Sequence, residues 1–341
     1  MKYLELSNAF GHNQFAYRKN KGYRDAIAFN VCSWIMAFNK KMQIALYCSD
    51  VFGAFDRICK KRLLKKLRNA RLHPQLLQVF EAWLTERIAY VVVHGEKSSP
   101  MTLIDMIFQG SVLGPTLWNI FYADSARPVQ KVGFTESIFA DDLNCFKNFS
   151  RVIGKDYVLH QIQGCQEEVH KWGRANKVTF DPGKEHLLIL DPQHPHGEFF
   201  DILGVHFDTK LVMYNEVSRA ASEASRRCHI VLKLRRFYSV TTLFRLFKAH
   251  VLSYIERSTP AIFHCCPSIL SLLDNVLDHF LEAVGVSLKD ALLLFNLAPL
   301  SSRRHISMLG LIHKCQLGIA PTCLSSFSLE RGALCTILII I

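Results

Sequence analysis

Two apolar runs that each close on acid restrict this chain more than any other feature of it. The first, Ile44-Ala45-Leu46-Tyr47-Cys48-Ser49, ends on Asp50, and Ala54-Phe55-Asp56 follows. The second, Ser137-Ile138-Phe139-Ala140, ends on Asp141-Asp142. A short apolar run bounded by charge and turn residues reads as a buried strand. Two such strands side by side in one sheet would gather their carboxylates at one end. A pair of divalent cations held there, about 3.5–4 Å apart, would suit phosphoryl transfer. The fold therefore has to make neighbours of strands that lie far apart in sequence.

The rest of the pattern supplies a framework for that sheet. Residues 21 to 40 read as a helix and Met42 to Ser49 as a strand. Asp56 is placed to cap a helix from Arg57 to about Arg71, whose stripe is Ile58, Leu63, Leu64 and Leu67. A second helix is expected from Pro74 to Glu86. Tyr90-Val91-Val92-Val93 and Met101-Thr102-Leu103-Ile104 read as paired strands joined across Gly95 to Pro100. Pro115 suits the first turn of another helix. Cys145-Phe146 is expected to pair back onto Ser137–Ala140. A helix over Val158 to Arg174 leads to short strands at Val178–Phe180, Leu187–Leu190 and Phe199–Val205. From about Glu216 onward the pattern is helical and basic. This order predicts an α+β core with a helical domain after about residue 210.

Three blocks stand in order: SDVFGAFD at 49–56, QGSVLGPTLWNIFYAD at 109–124 and FADD at 139–142. Together they resemble the palm of reverse transcriptases, closest to the non-LTR retrotransposon, jockey-like group. Gln14-Phe15-Ala16-Tyr17-Arg18 resembles the fingers segment that precedes the first block. Trp172, Asn176 and Lys184 resemble its W-x-x-x-N…K segment, and Leu203-Gly204-Val205 its LGV turn. The resemblance covers roughly residues 10 to 320. It implies a right-hand polymerase fold: an antiparallel palm sheet with helices on one face, partial fingers and a helical thumb. The domains it implies are partial fingers at 1–41, palm at 42–210 with a fingers insertion near 74–108, thumb at 211–290, and a helical extension with an apolar tail at 291–341.

By the same resemblance Asp50, Asp141 and Asp142 are the metal-binding carboxylates for two Mg²⁺ ions, or Mn²⁺. Hard cations of this kind take oxygen ligands from few carboxylates plus substrate phosphates. Phe55 is placed as the steric gate against a ribose 2′-OH, or packs into the palm core. Gln109 and Gly110 fit the loop under the nascent base pair, although Phe108 departs from the commoner Pro-Gln-Gly form. Lys184 is placed to aid the pyrophosphate leaving group, or is a solvated loop lysine. Leu203 and Gly204 belong to the primer grip. The partners implied are an RNA template, a DNA primer and dNTPs, giving an RNA-directed DNA polymerase. A catalytically inactive retroelement remnant that still binds RNA or DNA is the alternative. The resemblance also leads us to expect an N-terminally truncated chain, because an earlier fingers segment would precede Gln14.

Charge agrees with such partners. A net charge of +12 favours a polyanion. Arg226, Arg227, Lys233, Arg235 and Arg236, in the expected thumb, are the candidates for nucleic-acid backbone contacts. The basic residues from Lys60 to Arg71 read instead as a solvated helix face. Eleven scattered cysteines fit a reduced, intracellular compartment, nucleus or cytoplasm. The start lacks the apolar segment of a secretion signal. No run approaches the roughly 20 apolar residues of a membrane helix, so no membrane partner is expected. No protein partner can be inferred. His264-Cys265-Cys266 and His194-Pro195-His196 lack zinc-site spacing. The tail Ala333–Ile341 is expected to aggregate or to pack as a strand, or is the scar of a truncated or shifted reading frame.

Overall fold

The computed structural model describes residues 2–85 and 87–329. In chain order the elements are α1 (Lys2–Leu6), α2 (Tyr23–Asn39), β1 (Met42–Ser49), α3 (Lys60–Asn69), α4 (Pro74–Trp83), β2 (Arg87–Ala89), β3 (Val92–Val93), β4 (Glu96–Lys97) and β5 (Met101–Leu103). Next come α5 (Gly114–Tyr122), α6 (Ala126–Lys131), β6 (Thr135–Phe139), β7 (Asp142–Ser150), α7 (Lys155–Asn176), β8 (His186–Leu190), β9 (Phe199–Ile202) and β10 (Val205–Asp208). Helices then follow one another: α8 (Tyr214–Lys233), α9 (Val240–Phe247), α10 (Ser253–Arg257), α11 (Thr259–Ile262), α12 (Pro267–Val284), α13 (Leu288–Phe295), α14 (Leu300–Gln316) and α15 (Thr322–Leu329). They form two compact units. One holds the chain up to Gly22 and Ile44–Leu188, the other Tyr23–Gln43 and the described residues from Ile189 on.

A four-stranded sheet in the order β6-β7-β1-β8 carries the acidic strand ends. All but the first residue of β1 is buried, as its unbroken apolar run requires of an inner strand. β6 and β7 form an antiparallel hairpin in which Phe139 faces Asp142, so Ala140 and Asp141 are the two turn residues. An aromatic core in the first unit joins α5 to α7. Trp118 stacks on Tyr122 at 5.1 Å, and Trp172 meets Tyr122 edge-on at 5.3 Å. Such pairs add about 0.5–1.5 kcal/mol beyond burial.

The end of α7 is fixed by a crossing that leaves no room for a side chain. Lys177 turns left-handed, Val178 N–H donates to the Gly173 carbonyl at 2.9 Å, and Lys177 N–H to that of Arg174. A Cβ built on Gly173 would lie 2.8 Å from the Val178 carbonyl oxygen and 2.9 Å from the Phe180 ring. Gly173→Ala is therefore expected to lose about 1–3 kcal/mol of stability through overpacking. This loss outweighs a helix-propensity gain of about 1 kcal/mol. The denaturant midpoint reads it, and a variant as stable as the wild type would contradict the crossing.

In the second unit, Trp34 of α2 lies edge-on to Phe200 at 6.1 Å and to Phe207 at 5.7 Å, both from the β9–β10 hairpin. Among the helices, Phe247 of α9 stacks on Phe280 of α12 at 4.1 Å. Arg304 holds Asp274 through two hydrogen bonds of 2.8 and 3.0 Å. No helix among the described residues is long and apolar enough to cross a membrane.

Several expectations are corrected. Asp56 caps no helix: it lies in a 3₁₀ turn, Ala54–Arg57, and α3 starts only at Lys60. The first-turn N–H of Lys60 is instead satisfied by Asp105, at 3.0 Å. Tyr90–Val93 does not pair with Met101–Ile104. β2 pairs with β5, and β3 folds straight back onto β4. Val178–Phe180 makes an isolated bridge, Val51 to Phe180, rather than a strand. Phe199–Val205 is not one strand but most of a hairpin, turning at Leu203-Gly204. Lys66 leaves the solvated face expected of its helix: it reaches Asp124 at 2.6 Å and lies over the Phe121 ring at 4.4 Å. The apolar tail lies outside the described residues.

Candidate active site

β1 and β7 are neighbours in the sheet, so Asp50, just past the end of one, meets Asp142 at the start of the other and Asp141 in the turn before it. The Asp50 side chain is 15% exposed, and its Oδ1 accepts from the Val51 N–H at 2.9 Å. Burial, then the Asp50 carboxylate, raises Asp141 above the ordinary carboxyl range. Burial, then Asp50 and Asp141, pushes Asp142 up to about 7. Three acids are thus held where they repel one another in a half-dry site. Tyr122, wholly buried, lies close enough to feel all three charges, and its hydroxyl has no hydrogen-bond partner among the described residues.

The positive charge in this cluster is the Lys184 ammonium, which contacts Asp50 Oδ2. That contact, by hydrogen bond and charge, raises the lysine pKa. Its position follows from the chain on both sides. Asp181 N–H donates to the Asp50 carbonyl at 3.0 Å, and Phe52 N–H to the Thr179 carbonyl at 2.9 Å, so the segment lies along the strand end. The Asp181 side chain then accepts from Gly183 N–H at 3.0 Å, closing the 3₁₀ turn that ends on Lys184. Glu185 is held by Tyr47, by His170 Nε2 at 2.7 Å and by Gln166 at 3.3 Å.

Phe55 is half-buried with its ring 5.7 Å from that of Trp118, and its carbonyl accepts from Ile107 N–H at 2.8 Å. Gln109 is exposed and donates to Asp56 Oδ2 at 3.2 Å, while Gly110 beside it has a φ of +84°. Asp50, Asp141, Asp142, Lys184, Phe55, Gln109 and Gly110 all belong to the first unit.

Leu203 and Gly204 belong to the second, with φ values of +53° and +74° in the β9–β10 turn. Arg219 donates to the Gly204 carbonyl at 3.2 Å. The basic candidates divide. Arg226 and Arg227 both hydrogen-bond Glu223, at 2.8 and 2.7 Å, whereas Lys233, Arg235 and Arg236 are exposed at the end of α8.

Two residues of the candidate site have no local signal in the sequence. Gln14 lies within the segment resembling the fingers, yet its amide bonds the backbone of Ala140, in the acidic turn. Glu185 stands beside Lys184, half-buried among Tyr47, His170 and Gln166. A glutamine or glutamate taken out of water is costly unless its polar atoms are matched, but the matching partners come from remote segments, and no local pattern announces them.

A family model described as reverse transcriptase (RNA-dependent DNA polymerase) matches residues 1–207. The chain is 32% identical over 232 residues to the RNA-directed DNA polymerase from mobile element jockey of Drosophila melanogaster. It is 29% identical over 232 residues to that of Drosophila funebris. Each alignment covers 63% of this chain and 25% of the relative, so the chain spans about a quarter of the length of these curated relatives. Among solved structures it is similar to apo telomerase from Candida tropicalis, with a TM-score of 0.49 and 12% identity over 83% of this chain and 49% of that one. It is also similar to telomerase from Candida albicans in complex with a TWJ fragment of telomeric RNA, with a TM-score of 0.46 and 13% identity over 84% and 52%.

Proposed function

The chain belongs to the reverse transcriptase family, and on that premise we propose that it is an RNA-directed DNA polymerase module that adds dNTPs to a primer 3′-OH. One observation carries this reading. Asp50, Asp141 and Asp142 share one site in which burial, then the charges of Asp50 and Asp141, pushes Asp142 up to about 7, with the Lys184 ammonium against Asp50. No three of the described His, Cys, Asp and Glu side chains are already drawn together as ligands of one ion. The donor set nonetheless fits a hard divalent cation: all oxygen, mutually repelling, and few enough to leave positions for phosphate oxygens.

Asp50 and Asp141 would hold Mg²⁺, or Mn²⁺, with Asp142 adding negative potential. When bound, two such ions activate the attacking hydroxyl and stabilise the charge on the leaving group. Lys184, more than half exposed despite its contact with Asp50, is free to follow the pyrophosphate and stabilise its charge. The Phe55 ring lies under the sugar and excludes a 2′-OH. Gln109 and Gly110 bound the nascent base pair, and Leu203-Gly204 supports the primer end. The names fingers for 1–41, palm for 42–210 and thumb for 211–290 belong to this proposal, as do the RNA template, the DNA primer and an intracellular site of action.

Extension of a DNA primer on an RNA template, dependent on Mg²⁺ and abolished by EDTA, tests the reading. Binding of template–primer without extension under any divalent cation would leave only the inactive remnant.

Backbone contacts would come chiefly from Lys233, Arg235 and Arg236, since Arg226 and Arg227 already share Glu223. Replacing the three by glutamine is expected to lower the slope of log K against log salt by about 2–3, because each phosphate contact contributes about 0.7–0.9. Replacing Arg226 and Arg227 is expected to change it less. Fluorescence anisotropy across a salt series measures both, and an unchanged slope in the triple variant would remove the thumb from the proposal.

A further inference from the structure

The turn that presents the acids is in a conformation its own sequence does not favour. Ala140 has a φ of +57°. The left-handed region costs a residue with a Cβ roughly 1–2 kcal/mol, and such strain persists only where the surroundings over-determine it. Here they do. Gln14, only 2% exposed, places its amide against Ala140. Its Oε1 accepts from the Ala140 N–H at 2.9 Å, and its Nε2 donates to the Ala140 carbonyl at 3.0 Å. Trp118 Nε1 donates to the same carbonyl at 2.9 Å.

The glutamine is itself held fast. Oε1 also accepts from Ala16 N–H at 3.0 Å, and Asn119 donates to the Ala16 carbonyl at 2.9 Å. Phe15 N–H donates to the Ile138 carbonyl at 2.8 Å, and Ile138 N–H to that of Asn13 at 2.9 Å. Residues 13–15 thus run along the free edge of β6, bridged in parallel at Gln14 and Ile138.

We propose that Gln14 is a positioning residue: it latches the Ala140 turn and thereby sets where Asp141 and Asp142 point. The proposal rests on the polymerase reading for what those carboxylates do. Glutamine is the residue the geometry needs. It offers a donor and an acceptor on one planar group; ionised glutamate only accepts, methionine has no donor and only a weak sulfur acceptor, and asparagine is one methylene short. Supports that orient metal-holding groups typically change metal affinity about 10–100-fold when removed.

The test compares wild type with Gln14→Met, which keeps the arm's length and packing. Mn²⁺ binding is followed by electron paramagnetic resonance on the full chain, beside the Mg²⁺ concentration for half-maximal primer extension and the melting temperature. The latch predicts a Kd for Mn²⁺ and an Mg²⁺ half-saturation each raised about tenfold or more, with template–primer affinity within about twofold of wild type. A merely structural glutamine would lower the melting temperature and leave both metal constants where they were, and that result overturns the proposal. If Gln14→Met does not fold, Trp118→Phe carries the test. It keeps a smaller aromatic ring in place of the indole and removes one of the two donors on the Ala140 carbonyl, so a smaller loss in the same direction is expected, and unchanged Mn²⁺ affinity overturns the latch. Should the wild type extend no primer, the polymerase reading fails while the Mn²⁺ titration still decides the latch by the same criterion.

Discussion

Asp141→Asn is expected to leave a folded chain that still binds template–primer but extends it at least about a thousandfold more slowly. Two bound cations supply several kcal/mol of charge stabilisation in the transition state, and each 1.36 kcal/mol is a factor of ten in rate. Asparagine preserves the shape of the side chain and removes one of the negative charges that would hold the cations. The substitution also relieves a strain in the fold: burial and the Asp50 charge already make the Asp141 carboxylate an unfavourable anion. Loss of activity with unchanged or higher melting temperature would therefore report chemistry, not collapse. Asp50→Asn is a less clean test because it also removes the partner of Lys184. Single-turnover extension measures the effect, and a variant within tenfold of wild type would exclude Asp141 from the metal site.

Much of the candidate site is legible in the sequence because its residues stand at ends of strongly patterned elements. β1 runs from Met42 to Ser49 as expected, since an apolar run flanked by Lys40-Lys41 and Asp50 has only one buried length available. The FADD hairpin follows from a strand that stops in charge. What sequence reading missed depends on remote partners or on tight turns. The first-turn N–H of α3 is taken by Asp105 rather than by Asp56, a contact no local capping rule contains. The Val-rich segment 90–93 looks like a long strand by composition, but its valines are exposed and its register is set elsewhere. His94 and Gly95 both have positive φ, +50° and +86°, which suits a two-residue hairpin. That turn pairs Val93 with Glu96 at once and leaves Arg87–Ala89 for Met101–Leu103. The Gln14 latch spans 126 residues, so neither end could point to the other before the chain was folded.

Burial of Asp142, together with the charges of Asp50 and Asp141 beside it, makes stability depend on pH in a direction opposite to that of a salt-bridged carboxylate. Asp142 is pushed up to about 7 in the folded chain, whereas an unfolded Asp titrates near 3.8. Between these values the folded state holds a proton that the unfolded state has lost. Stability therefore falls as pH rises across that window, is fully present below it, and levels off above about 7. One pKa unit is about 1.4 kcal/mol, which sets a ceiling of about 4 kcal/mol. The repulsion is shared with Asp141 and screened by the exposed Lys184, so about 2 kcal/mol is the expected penalty at pH 8. In EDTA, Asp142→Asn should melt higher than wild type at pH 8 and close to it at pH 4.5. Mg²⁺ should raise the wild-type melting temperature more at pH 8 than at pH 6, because a ligand that binds the ionised site stabilises most where that site is charged. A wild-type chain that gains stability toward pH 8 without metal, with Asp142→Asn less stable there, would mean that the three carboxylates do not strain the fold. The charge argument for a cation site would then lose its footing, whatever the family resemblance.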